Sequence, residues 1–374
     1  MRIRHLHCRF AAIVTAACLG TGGLLAEDHC VSLQSASDRL AVPTDSAIRA
    51  MLEKAVPSPQ VHGAIVGLVD GGARRVVAYG TAGPGGPPID STNVFEIGSV
   101  SKAFIGVLLA DMVRRGEVQL AQPVAQLLPR GVRVPSRAGR EITLLDLATH
   151  TSGLPRMPDN VPRTTDPQVQ AGYTIERLYE FLLTHELARE PGSQYVYSNL
   201  ITLLGHALAR HAARPYEALL RERVLLPVGM RETRVTLSPE MKRRMTTPAN
   251  KAGEAQPYFV LPAFTASGGL KSTMNDMLTF AAANLTTDES EIGVALRDSR
   301  RPHRPLGDSG EFMGLGWAAT PEGAAGLSGA TYGYRAYLYV NPVRHRAIVV
   351  MTNAPEVDAT RLGVSIRRAS TPPW

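Results

Sequence analysis

The sequence predicts an α/β chain of the α+β sandwich kind: an antiparallel sheet built from both termini and flanked by helices, with an all-α region inserted between. Three observations predict it. Apolar, β-branched runs cluster near the two ends, at 64–69 and 75–79 and again at 315–319, 334–340 and 347–352. Helical spacing and loop residues fill the interval from 101 to about 253. The 374 residues, 44% hydrophobic and 20% charged, suffice to bury one large core.

Residues 1–26 stand apart. Arg2, Arg4 and Arg9 give a basic start, 10–19 is apolar, and a small-residue stretch ends at Ala26 before Glu27-Asp28. That order reads as an export signal, too short for a comfortable membrane span. Cleavage after Ala26 is preferred over lipidation at Cys18, which would leave a very short apolar core. A buried N-terminal helix ranks lower because the segment has no amphipathic period. The mature chain, 27–374, then divides into a sheet region (about 38–100 and 265–374) and a helical region (about 101–264). A helix is expected over 38–54. The strands 64–69 and 75–79 are joined by Asp70-Gly71-Gly72, strong hairpin punctuation. A helix over 101–115 carries Phe104, Val107, Leu108 and Met112 on one face. Further helices are expected at 144–148, 175–184, 200–211 and 216–226, and a last one at about 358–369.

Loss of Arg2, Arg4 and Arg9 lowers the formal net charge from +7 to +4. The remaining basic residues are scattered and do not alternate with aromatics, so a nucleic-acid footprint is missing. Cys8 and Cys18 leave with the signal, and Cys30 has no intramolecular partner; the fold relies on its core, not on disulfides. No histidine pair has metal-ligand spacing, no G-x-S-x-G elbow is present, and no glycine-rich phosphate loop opens a helix. No cofactor is expected.

The chemistry gathers in two short segments. In Gly98-Ser99-Val100-Ser101-Lys102, a serine at a helix start precedes a lysine by three residues, so both can face one cleft. A serine hydroxyl needs a partner to take its proton, and a lysine amine can do so where burial or nearby positive charge lowers its pKa. Helix N-terminal N–H groups favour the oxyanion of acyl transfer. Alone, S-x-x-K occurs by chance as a solvated helix start. Support comes from Tyr197-Ser198-Asn199, where the phenol can share the acid/base work and the amide can bond both Lys102 and a substrate carbonyl.

With these motifs the chain resembles the class C serine β-lactamases and the related penicillin-binding carboxypeptidases, most of all those of the AmpH-type D-alanyl-D-alanine carboxypeptidase/endopeptidase kind. The likeness runs from about 38 to 369. It includes the framing segments 143–155, 191–193, 226–230, 267–270 and 314–317. It implies the β-lactamase/DD-peptidase fold with Ser99, Lys102 and Tyr197 catalytic and Asn199, Ser328, Gly329 and Ala330 binding substrate, the Ala330 N–H completing an oxyanion hole with that of Ser99. One position departs: Leu327 stands where the family carries a basic residue, and Arg335 is near enough in sequence to substitute. His150, in Thr149-His150-Thr151, is expected to brace a turn.

Three functions stay open. The first is a DD-carboxypeptidase/endopeptidase acting on peptidoglycan peptides and reacting with β-lactams. The second is a class C-type β-lactamase; the third is an esterase or non-catalytic penicillin-binding-like protein. A periplasmic or secreted monomer without a membrane span is expected.

Overall fold

The computed structural model describes residues 42–164, 166–250, 252–370 and 374. The export signal, Cys18 and Cys30 lie outside the described residues. Among the described residues ten strands occur: β1 (Gly63–Asp70), β2 (Ala73–Gly80), β3 (Val94–Glu96), β4 (Lys271–Thr273), β5 (Arg304–Pro305), β6 (Phe312–Met313), β7 (Ala318–Ala319), β8 (Ala325–Ala330), β9 (Arg335–Asn341) and β10 (Arg346–Thr352). Eight of them form one antiparallel sheet in the order β2-β1-β10-β9-β8-β7-β6-β5. Its centre joins the two ends of the chain, with Ala64 opposite Thr352 and Asp70 opposite Arg346. The β1–β2 hairpin turns through Gly71 and Gly72, both at positive φ, the conformation the two glycines permit without strain.

Side-chain alternation explains the layers. In β1, Ala64, Val66 and Leu68 face one side, while Ile65 and Val69 face the other. In β10, Ile348 and Val350 join the first set, and Ala347, Val349 and Met351 the second. The first face is covered by the helices Asp45–Ala55 and Ala359–Arg368 through Ile48, Leu52, Leu362 and Ile366. The second opens into the main core, shared with the helices of the middle region. Both faces are buried, so β1 and β10 are apolar almost without interruption.

The helix Ser101–Arg114 is more deeply placed than a one-faced pattern predicts. Every residue from Ser101 to Met112 is buried, because this helix runs between the sheet and the other helices. Phe104 stacks on Phe280 with ring centroids 4.2 Å apart, and Gly106 admits the Leu315 carbonyl, which would lie 1.7 Å from any Cβ. That contact also corrects the strand expected at 315–319. Leu315 N–H bonds to Ser299, Gly316 N–H to Ala148, and Gly316 sits at φ +76°, leaving only Ala318–Ala319 to pair. The final helix and the helices at 144–148 and 175–184 fall close to where they are expected. The expected helix 216–226 instead passes through a π-helical turn, Arg221–Leu225, to Val228. A second small sheet pairs β3 with β4, setting Glu96 opposite Lys271 just ahead of Ser99.

Candidate active site

Ser99 occupies a 3-10 turn, Gly98–Val100, that leads into the helix Ser101–Arg114. Two glycines bring this turn against the end of β8. A Cβ at Gly98 would lie 2.7 Å from Ala330 N, and one at Gly329 would lie 2.1 Å from Ile97 O and 3.3 Å from Ser99 N. Backbone therefore meets backbone here, and the Ser99 and Ala330 amides come to one lip of the cleft.

Lys102 sits one turn on, fully buried, with its stem packed among core residues. Its Nζ donates to Ser99 Oγ (2.9 Å), to Asn199 Oδ1 (2.9 Å) and to the Ser267 carbonyl (2.8 Å). Ser101 Oγ accepts the Leu270 N–H at 3.2 Å and ties the 267–270 segment to the start of the helix. Burial, and then the neighbouring Arg156 guanidinium, hold the Lys102 ammonium well below the usual lysine pKa. Tyr197 Oη donates to the same Ser99 Oγ at 2.7 Å. Burial raises the phenol above its usual value, with the Ser99 bond and Arg156 opposing. The pair is thus set as a phenol held protonated beside a lysine displaced toward the free amine, with one serine hydroxyl between them.

What carries Tyr197 to Ser99 is the segment around His150. The helix Leu144–Ala148 begins in a capping box, Thr143 with Asp146, and the chain leaves it through His150 at φ +57°. His150 accepts the Ser198 N–H on Nδ1 (3.2 Å), its carbonyl accepts the Val196 N–H (2.8 Å), and its ring lies 4.7 Å from that of Tyr197. Burial and the Lys102 charge push its pKa down to about 3, so the imidazole stays neutral and Nδ1 remains an acceptor. Ser198 Oγ donates to the Pro155 carbonyl (2.6 Å), and Asn199 N–H to that of Arg156 (3.0 Å). The bracing role expected of His150 matches this geometry.

Ser99, Tyr197 and Asn199 open onto a cavity of about 710 Å³ whose far wall is β8. Leu327 pairs with the buried Leu338 on the main-core face, so no cation arises from that position. Ser328, on the opposite face of the strand, is exposed and hydrogen-bonded to Thr360 Oγ1 at 2.7 Å. Arg335 lines the same cavity, with Nη1 donating to the carbonyls of Thr331 and Tyr334, both at 2.8 Å. A smaller recess of about 60 Å³ lies between Ser99, Asn199, Met157, Phe264 and Ala330. Sequence reasoning missed two contributors, the Ser267 carbonyl and Arg156, whose guanidinium lies 5.2 Å from the Tyr197 ring centre. Their only signal was that Ser267 opens the segment 267–270 and Arg156 follows the segment 143–155.

Comparison with known proteins agrees. The Beta-lactamase family model matches residues 45–370. The chain is 32% identical over 309 residues to the D-alanyl-D-alanine-carboxypeptidase/endopeptidase AmpH of Escherichia coli K12, covering 77% of this chain and 78% of that protein. It is 26% identical to a beta-lactamase of Pseudomonas fluorescens, covering 85% and 94%. The crystal structure of a beta-lactamase/D-alanine carboxypeptidase from Yersinia pestis, complexed with citrate, superposes with a TM-score of 0.73 at 24% identity, over 86% of this chain and 97% of that one. The fold is that of the β-lactamases and DD-peptidases, and the chain belongs to the Beta-lactamase family.

Proposed function

We propose that this protein is an exported serine hydrolase that forms an acyl-enzyme on Ser99 with D-alanyl-D-alanine peptides and with β-lactams. The observation that carries the reading is the convergence of Lys102 Nζ and Tyr197 Oη on Ser99 Oγ, at 2.9 and 2.7 Å. The relation to AmpH supports the peptidase side of it. The basic, apolar and small-residue order of residues 1–26 supports export.

In acylation the Lys102 amine takes the Ser99 proton as Oγ bonds to the substrate carbonyl. The tetrahedral oxyanion accepts from the Ser99 and Ala330 N–H groups, while the Asn199 amide faces the acyl half. Tyr197 then gives its phenolic proton to the leaving nitrogen as the C–N bond breaks. The transient phenolate lies near two cations: Lys102 Nζ is 5.0 Å and the Arg156 guanidinium 5.2 Å from its ring centre. In deacylation the phenolate takes a proton from water, hydroxide adds to the ester, and Lys102 returns its proton to Ser99 Oγ. Atoms and charges balance over the cycle. Incubation with a fluorescent penicillin tests the reading: covalent label on wild type and none on Ser99→Ala supports it, whereas equal labelling of both refutes it.

A second reading, an ester hydrolase, is favoured by one observation. Leu327 places an apolar side chain where the resemblance calls for a carboxylate-binding cation. Substrates with and without a free carboxylate separate the two.

A further inference from the structure

We propose that Arg156 is the specificity residue that holds the carboxylate on the leaving half of the substrate, in place of the cation missing at position 327; the proposal rests on the acyl-transfer reading above. Three arginines line the main cavity: Arg156, Arg335 and Arg367. Two of them are engaged. Arg367 donates to Tyr337 Oη (2.9 Å) and to the Trp374 carbonyl (3.5 Å), and it lies 3.3 Å from the Tyr339 ring centre. Arg335 spends Nη1 on two carbonyls of its own turn and feels Glu356 and Asp358. Arg156 differs. Among the described residues its side chain makes no ion pair and no hydrogen bond; its one contact of note is the face of Tyr197.

Its backbone, by contrast, is fixed to the site. The Arg156 carbonyl accepts the Asn199 N–H, the Pro155 carbonyl accepts from Ser198 Oγ, and Met157 Sδ accepts from the Asn199 amide at 3.2 Å. The guanidinium is thus an unspent cation on a rigid mount, exposed at the cavity mouth beside the phenol that protonates the leaving nitrogen. A guanidinium presents a planar fork that fits a carboxylate in two parallel hydrogen bonds. The small recess is lined by Met157 and not by Arg156, while the cavity shared with Leu327 and Ser328, where the resemblance puts the carboxylate-binding cation, is lined by Arg156. This places the arginine with the departing half of the substrate. The substrate class is an acyl donor whose leaving amine carries a free carboxylate, as D-alanine and the penicillin ring do.

The test compares Ser99 acylation by benzylpenicillin and by its methyl ester, followed by intact mass on the full chain. Wild type should favour the free acid. Arg156→Ala should lower the ratio of acid to ester rate ~10- to 100-fold, the range for one charge-assisted pair, the loss common to both substrates reporting its effect on Lys102 and Tyr197. Arg156→Lys should restore part of the preference, and the preference should shrink as salt is raised. Equal losses on acid and ester, or no loss on the acid, overturn the assignment, as does Arg335→Ala carrying the whole selective loss. Wild type acylated by the ester but indifferent to the acid overturns it alone. Wild type acylated by neither overturns the acyl-transfer reading beneath it.

Discussion

Replacing Lys102 by methionine keeps most of the buried stem and removes the ammonium. In the native site that nitrogen serves three acceptors, Ser99 Oγ, Asn199 Oδ1 and the Ser267 carbonyl, at 2.8 to 2.9 Å. Loss of the base should slow acylation ~10²- to 10⁴-fold. Stability responds differently. Asn199 and Ser267 lose their donor, a cost of ~1 to 3 kcal/mol for each buried acceptor, but the penalty of burying a charge also disappears. The net change should therefore be a few kcal/mol at most and smaller than the loss of rate suggests. The pH dependence carries a further sign. Lys102 titrates below its ordinary value in the folded protein, so between the two pKa values the unfolded chain binds more protons. This site thus opposes folding most strongly at low pH, and its cost fades as pH rises toward the ordinary lysine value of 10.5. Acylation should climb as pH rises through the lowered folded-state pKa of Lys102 and level off above it, as amine replaces ammonium. Labelling rates between pH 5 and 10, with thermal melts of both proteins, measure all of this. The reasoning is refuted if Lys102→Met acylates within about threefold of wild type. Full additivity with Tyr197→Phe would also refute it, because two residues that meet on one hydroxyl and act as one network are not additive.

Leu327→Lys should change carboxylate substrates little in wild type, because Arg156 already supplies a cation. In the Arg156→Ala background it should recover ~10-fold of the acid rate, and a neutral nitrophenyl ester serves as the control. Gly329→Ala should cut acylation by ~10² or more and broaden substrate binding, since its Cβ would fall 2.1 Å from Ile97 O and force the Ala330 amide away from Ser99. A labelling rate within threefold of wild type would contradict this. His150→Ala should lower kcat more than it raises KM, by loosening the Val196–Ser198 backbone that aims Tyr197. A pH profile moved by His150→Ala near pH 6 to 7 would instead make the imidazole an acid or base and contradict the bracing role.

Much of this site was legible because its chemistry is local. Ser99 and Lys102 are three residues apart on one turn, and Tyr197 and Asn199 flank one loop residue, so sequence spacing already orders them within each pair. The β1–β2 hairpin was legible for the same reason, through Asp70-Gly71-Gly72. Joining the two pairs depends on long-range backbone contacts: His150 to Val196, Arg156 to Asn199, Gly98 to Ala330. No local pattern encodes these. The last three strands on one side of the sheet, β7, β6 and β5, have two residues each, too short for alternation to register. The helix Ser101–Arg114 presents one apolar stripe in sequence, yet small residues such as Gly106 and Ala110 bury its remaining faces by close approach. Nothing local in the sequence marks Arg156, since only the fold shows that its backbone is fixed to Asn199 while its guanidinium stays uncommitted.

The central claim is that Ser99 becomes covalently acylated. Peptide mapping by mass spectrometry after brief exposure of the protein to benzylpenicillin tests it most directly. The account predicts the acyl increment on the peptide containing Ser99, its absence in Ser99→Ala, and a rate sharply reduced in Lys102→Met. An increment on a different residue, or an unmodified Ser99 peptide under conditions where penicillin or a neutral ester is turned over, would contradict it.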